Sequence, residues 1–156
     1  MNQGRLSIRV NIDFIKQYDP ELLRKYPDYD GFLRIISTIT LKTKSGWSKP
    51  RMAIIDTGAH TSILPLTVWE ESDVEILGDY FVRGVVPKKE CVLPVKIGWV
   101  RAMILDRFGN RTSELRFRAY LAPTDDVPII IGFKDLMDKG ELNFNSKSFT
   151  GYIEIT

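Results

Sequence analysis

The sequence predicts an all-β domain whose many short strands close into a barrel-like fold. Three observations lead there. Apolar and polar residues alternate along residues 5–13, with Leu6, Ile8, Val10 and Ile12 on one face. Further runs rich in Ile, Val, Leu, Tyr and Phe recur at close spacing, separated by Gly, Pro, Asn and Ser. Only two short segments have helical character. A chain of 156 residues suits one domain with a single core.

The elements follow in order. After the strand at 5–13, Asp19 is an N-cap and Pro20 a first helical residue, which predicts a short helix over 20–25. Residues 26–31, Tyr-Pro-Asp-Tyr-Asp-Gly, read as a turn packing Tyr18, Tyr26 and Tyr29. Strands at 32–44 and 51–56 are joined through Ser45-Gly46-Trp47-Ser48. More strands are expected at 80–86, 91–97, 99–105 and 114–122, with Pro87-Lys88-Lys89, Gly98 and Phe108-Gly109-Asn110 as connections. Residues 133–139 predict a second helix, with Gly140 as its left-handed C-terminal cap. Residues 142–145 and 152–155 close the chain as a hairpin around Asn145-Ser146-Lys147-Ser148. Cys91, Trp47, Trp69 and Trp99 read as packing residues, and Asp125-Asp126 as a solvated loop.

Composition excludes several function classes. No run of about 18 apolar residues is present to predict a membrane span. The N-terminus has no apolar stretch like that of a signal peptide. The single Cys91 excludes an internal disulfide, and together these features lead to the expectation of a cytoplasmic protein. Asn110-Arg111-Thr112 is then an unglycosylated turn. Net charge is +2 with no basic run, so neither nucleic acid nor membrane is an expected partner. His60 and Cys91 are the only residues of their types and cannot build a metal-ligand cluster, and no cofactor is expected.

Two motifs carry chemistry. In Ile54-Ile55-Asp56-Thr57-Gly58-Ala59 an apolar strand ends in a carboxylate, a hydroxyl and a glycine. The strand fixes Asp56 at a rigid edge, Thr57 can brace the turn, and Gly58 leaves room for close approach of backbone or ligand. The plain alternative is a strand ending in an Asx-type turn. By chance Asp-Thr-Gly would arise in roughly a few per cent of chains this long. The second motif is the apolar Val127-Pro128-Ile129-Ile130-Ile131-Gly132, which by itself reads as a buried strand feeding a helix.

Together, Ile54–Ala59, Ser62-Ile63-Leu64-Pro65 and Ile130-Ile131-Gly132 resemble the retropepsin-like aspartic proteases. The resemblance runs from about Leu33 to Phe144 and is specific at the two motifs. It implies a single-lobe acid-protease barrel with a short C-terminal-side helix, residues 32–156 forming the protease domain and 1–31 an N-terminal extension of it. It implies an aspartic endopeptidase with Asp56 catalytic and with Thr57 and Gly58 supporting the active-site loop. Peptide or unfolded-protein substrate would be held by Ala59, His60 and a flap over Gly84, Val85 and Val86, with the Gly58-Ala59 backbone pairing to it.

Two carboxylates sharing one proton are needed for this chemistry, and the chain has one Asp-Thr-Gly, so a homodimer is implied. Two family positions depart from the pattern. His60 stands where retroviral members carry an acid and Phe133 where they carry arginine, so their mutual ion pair is missing. The flap also has one glycine, Gly84. These departures motivate the alternative of a catalytically inactive peptide-binding or dimerisation module on the same fold. A weaker third reading is a monomer whose lone carboxylate performs no chemistry.

Overall fold

A computed structural model of the chain describes residues 8–83 and 92–155. It is mostly β. In chain order the strands are β1 (Arg9–Asn11), β2 (Asp13–Gln17), β3 (Phe32–Thr43), β4 (Gly46–Trp47), β5 (Arg51–Ile55) and β6 (Ser62–Leu64). They continue as β7 (Glu75–Val82), β8 (Leu93–Leu105), β9 (Leu115–Leu121), β10 (Ile130–Ile131), β11 (Gly140–Asn145) and β12 (Thr150–Ile155). The helices are α1 (Pro20–Lys25) and α2 (Leu66–Glu71).

One sheet has the order β1-β12-β11, and the larger one β2-β3-β5-β10-β6-β9-β8-β7, with β4 paired to β3. A further pairing of β3 with β8 joins Thr38 to Leu105 and Leu41 to Ala102. Strand pairing therefore runs from β3 through β5, β10, β6, β9 and β8 and back to β3. Enclosed by this circuit is a core of Ile39, Leu41, Leu64, Val100, Ile104, Phe117, Leu121 and Ile131, all fully buried. Each such side chain contributes about 1.5–3 kcal/mol by leaving water.

Local chemistry explains α1. Asp19 is extended, and its side chain accepts from the N–H groups of Glu21 and Leu22, with Pro20 opening the helix as predicted. The predicted strand at 5–13 divides instead. At Ile12 the chain leaves β1, paired to β12, and enters β2, which becomes the edge of the larger sheet. Val10 and Ile12 are buried as expected, whereas Ile8 is exposed. Tyr18, Tyr26 and Tyr29 are also exposed and do not form a packed cluster, and Trp47 lies at the surface under Lys42.

Glycine misled the strand boundaries. Gly98 interrupts nothing: β8 passes straight through it, because a Cβ there would stand 2.9 Å from the Glu75 carbonyl oxygen across the β7 pairing. Gly140 is extended rather than left-handed, and it opens β11. Its glycine is required by close approach, since a Cβ would lie 2.0 Å from the Glu154 carbonyl oxygen. The predicted helix over 133–139 reduces to hydrogen-bonded turns and a 3-10 helix, Met137–Lys139. Asp135 takes φ +65°, a left-handed conformation that an α-helix cannot contain. The expected strand at 80–86 begins earlier, at Glu75, and its described part ends at Val82.

Asp106 ties β1 to the turn after β8. Its carboxylate accepts from the backbone and side-chain N–H groups of Asn11, from both of Asn110, and from the Phe108 backbone. Burial pushes this carboxyl up, but the donors of Asn11 and Asn110 outweigh it and hold it well below the usual carboxylate range. A depressed folded value stabilises the protein fully above the ordinary value of 3.8, and the gain is lost as pH falls through the folded value. Asp106→Ala is expected to cost about 1 kcal/mol at pH 7, the low end for a network of charged hydrogen bonds because water reaches this carboxylate. Urea unfolding measures it, and the gap to wild type should shrink as the pH is taken below 3.8.

Candidate active site

Strand β5 ends with Ile55 buried, and the Asp56 N–H makes the next rung by donating to the Ile131 carbonyl at 3.1 Å. The chain then turns. Asp56 Oδ1 accepts the Gly58 N–H at 2.9 Å, and the Asp56 carbonyl accepts the Ala59 N–H at 3.2 Å. The brace of this turn is therefore the carboxylate itself, an Asx turn, and not the Thr57 hydroxyl. Asp56 is half-buried, while Thr57 and Gly58 are exposed. Among the described residues no other hydrogen bond reaches the Asp56 carboxylate.

Behind the loop, β10 lies between β5 and β6. Ile130 and Ile131 pair in parallel with Ile54 and Ile55, and Ile130 pairs antiparallel with Ile63. The Gly132 N–H donates to the buried Ser62 hydroxyl at 3.0 Å. A Cβ at Gly132 would stand 2.6 Å from the Thr61 carbonyl carbon and 2.9 Å from the Ala59 carbonyl oxygen. Both neighbours are backbone, so only glycine lets this segment pass so close beneath the loop. Next in the chain, the N–H groups of Phe133 and Lys134 donate to the carbonyls of Ala59 and His60 at 3.0 and 2.8 Å.

The Ala59 N–H and carbonyl are both engaged inside the chain, by the Asp56 carbonyl and the Phe133 N–H. His60 does face open space. A cleft of about 510 Å³ is lined by His60, by Tyr120 of β9, and by residues 79–83. Tyr80 stacks on Tyr120 with centroids 5.8 Å apart, and His60 meets Tyr120 edge-on at 6.0 Å. The His60 Nδ1 pairs with the Thr61 hydroxyl at 2.7 Å, which fixes the ring. Asp56 is not among the lining residues, although it stands on the same loop as His60.

Over this cleft, β7 and β8 form a hairpin whose last described pair is Val82 with Leu93. The expected flap residues Gly84, Val85 and Val86, and Cys91 with them, lie outside the described residues.

No family model matches the chain, and no curated protein matches it either.

Several residues at the site were not singled out from sequence. Tyr80 and Tyr120 looked like ordinary strand aromatics. Arg118 and Asp135 form a paired-fork contact, Nε to Oδ2 at 2.8 Å and Nη2 to Oδ1 at 3.1 Å, and the Arg118 backbone N–H adds a third bond to Oδ2. These bonds from the Arg118 side chain hold the buried Asp135 carboxyl below the usual range, against the opposing effect of burial. His60 and Phe133 are both exposed. Asp125 is not a free acid: its Oδ1 accepts from the Thr67 N–H and hydroxyl and caps α2. Among the described residues no group of three or more His, Cys, Asp or Glu could hold a metal ion.

Gly132→Ala tests the tight passage under the loop. The added methyl should cost about 1–3 kcal/mol, because backbone and not a flexible side chain would have to move. A thermal melt reads this as a lowered Tm, with an Ala substitution at Gly78, where nothing lies within 4 Å and φ is not positive, as the contrasting control.

Proposed function

We propose that the chain is an aspartic endopeptidase of the retropepsin type, working as a homodimer in which two Asp56 carboxylates form the catalytic pair. The observation that carries this reading is the carboxylate at the end of β5. Its loop is underpinned by the Ile130-Ile131-Gly132 strand. The proposal includes the finer architecture of a single-lobe acid-protease barrel, half of a two-fold site. A cytoplasmic setting belongs to it as well, on the strength of the single cysteine.

In this mechanism, one Asp56 carboxylate takes a proton from water as the water oxygen bonds to the scissile carbonyl carbon. The other Asp56, in its acid form, gives its proton to the carbonyl oxygen. Both steps need the two groups to share one proton, since two like charges in contact cannot both ionise. The resulting diol collapses with cleavage of the C–N bond: the leaving amine takes the proton held by the first carboxylate, and one diol hydroxyl returns a proton to the second, which leaves a carboxylic acid and restores the shared proton. The exposed Thr57 hydroxyl is available to brace the partner loop. Substrate side chains would lie in the cleft of His60, Tyr80 and Tyr120, covered by the β7–β8 hairpin.

A catalytically inactive peptide-binding or dimerisation module is the competing reading, favoured by the absence of Asp56 from the cleft lining. The two separate cleanly. Wild type should cleave an unfolded protein at pH between about 4 and 7, and Asp56→Ala should lower kcat by about 10²–10⁴-fold without loss of fold. Sedimentation should find a dimer under assay conditions. Saturable peptide binding with no cleavage by either protein would instead support the inactive module.

A further inference from the structure

We infer that Arg118 and Asp135 are positioning residues for the Asp56 loop, an inference that rests on the peptidase reading. The loop is anchored on its far side by two consecutive N–H groups, Phe133 to the Ala59 carbonyl and Lys134 to the His60 carbonyl. Those donors belong to a turn without the regularity of a helix. Its conformation depends on Asp135, which holds φ +65° and is buried. For a residue with a Cβ this conformation is sparsely populated, Asp and Asn tolerating it best, and contacts of the side chain hold it in place.

Arg118 supplies the enforcement. Three of its N–H groups, one backbone and two guanidinium, converge on the two Asp135 oxygens within 3.1 Å. The guanidinium is in turn oriented by the Trp99 ring, 4.9 Å away, whose other cationic neighbour is Arg116 at 3.9 Å. Arg118 stands on β9, which pairs with β6 through Ser62 and Ala119. Ser62 also receives the Gly132 N–H. The chain of contacts thus closes: β9 to Arg118, to Asp135, to the Phe133 and Lys134 donors, to the loop, to β6 and back to β9. Loosening the Arg118–Asp135 contact frees the donors that fix Ala59 and His60, and with them the direction in which the loop presents Asp56. A planar fork is required because lysine offers a point charge that cannot bond both oxygens in this geometry.

Two variants test the inference, Arg118→Lys and Asp135→Asn, the second retaining a side chain tolerant of positive φ. The first readout is hydrogen exchange at the Phe133 and Lys134 amides, with the Ile39 amide of the core as control. Exchange at the two turn amides should quicken by about tenfold while Ile39 is unchanged. The second readout is cleavage, where kcat should fall by about 10- to 100-fold with KM nearly constant, the signature of a displaced catalytic group rather than lost binding. The inference is overturned if the turn amides stay protected in either folded variant, or quicken only together with Ile39. It is equally overturned if kcat holds while the turn amides open. A wild type that cleaves nothing sinks the peptidase reading alone, and the exchange data still decide whether this contact clamps the loop.

Discussion

Passage of Ile130-Ile131-Gly132 between β5 and β6 is the constraint on which the rest of the structure depends. Those three residues supply the parallel partner of β5, the antiparallel partner of β6 and the floor of the Asp56 loop. Without them the circuit of strand pairing opens between Ile54 and Ile63, and the N–H groups of Ile54 and Asp56 lose the carbonyls of Ile129 and Ile131. Unpaired backbone in such a place costs about as much as any lost hydrogen bond to a buried group. The apolar run at 129–131 is therefore set by position, since β10 has strands on both sides and Ile129 and Ile131 are buried in the core.

That constraint also explains why the site stands where it does. A carboxylate at a strand end is ordinary, but this one is held by a rung to Ile131 and by its own Asx turn. Its loop cannot relax toward Gly132, because backbone lies there at contact distance. The geometry of this carboxylate is thus fixed by the fold, the preorganisation on which the proposed acid–base role depends.

What could be read from sequence was what neighbours in the chain decide. Asp19 and Pro20 fix the start of α1 through bonds two and three residues away, and α1 has the predicted bounds. The two motifs around Asp56 and Gly132 were visible because both are short and local. What failed was decided by residues far off in sequence. Gly98 and Gly140 looked like breaks, yet each is glycine because another strand's carbonyl presses on it, Glu75 in one case and Glu154 in the other. The helix expected at 133–139 had suitable composition, but Arg118 captures Asp135 and the backbone follows the carboxylate. One signal was available: Arg116 and Arg118 alternate with buried Leu115, Phe117 and Ala119, so both arginines share the outer face of β9 and needed partners there.

The same long-range logic bears on the two departures from the retropepsin pattern. An acid at His60 with arginine at Phe133 would tie the loop to the following turn through side chains. Here backbone bonds from Phe133 and Lys134 already make that connection, and the charge pair that stiffens the turn sits one strand away, between Arg118 and Asp135. The Arg118–Asp135 pair has a physical consequence. Asp135 is 6% exposed at its side chain, so its charge is answered almost wholly by Arg118 and not by water. The His60 ring, held by the Thr61 hydroxyl, lines the cleft beside Tyr120. The cleft wall at this loop is therefore aromatic, His60 against Tyr120 and Tyr120 against Tyr80, while backbone bonds hold the loop that carries Asp56.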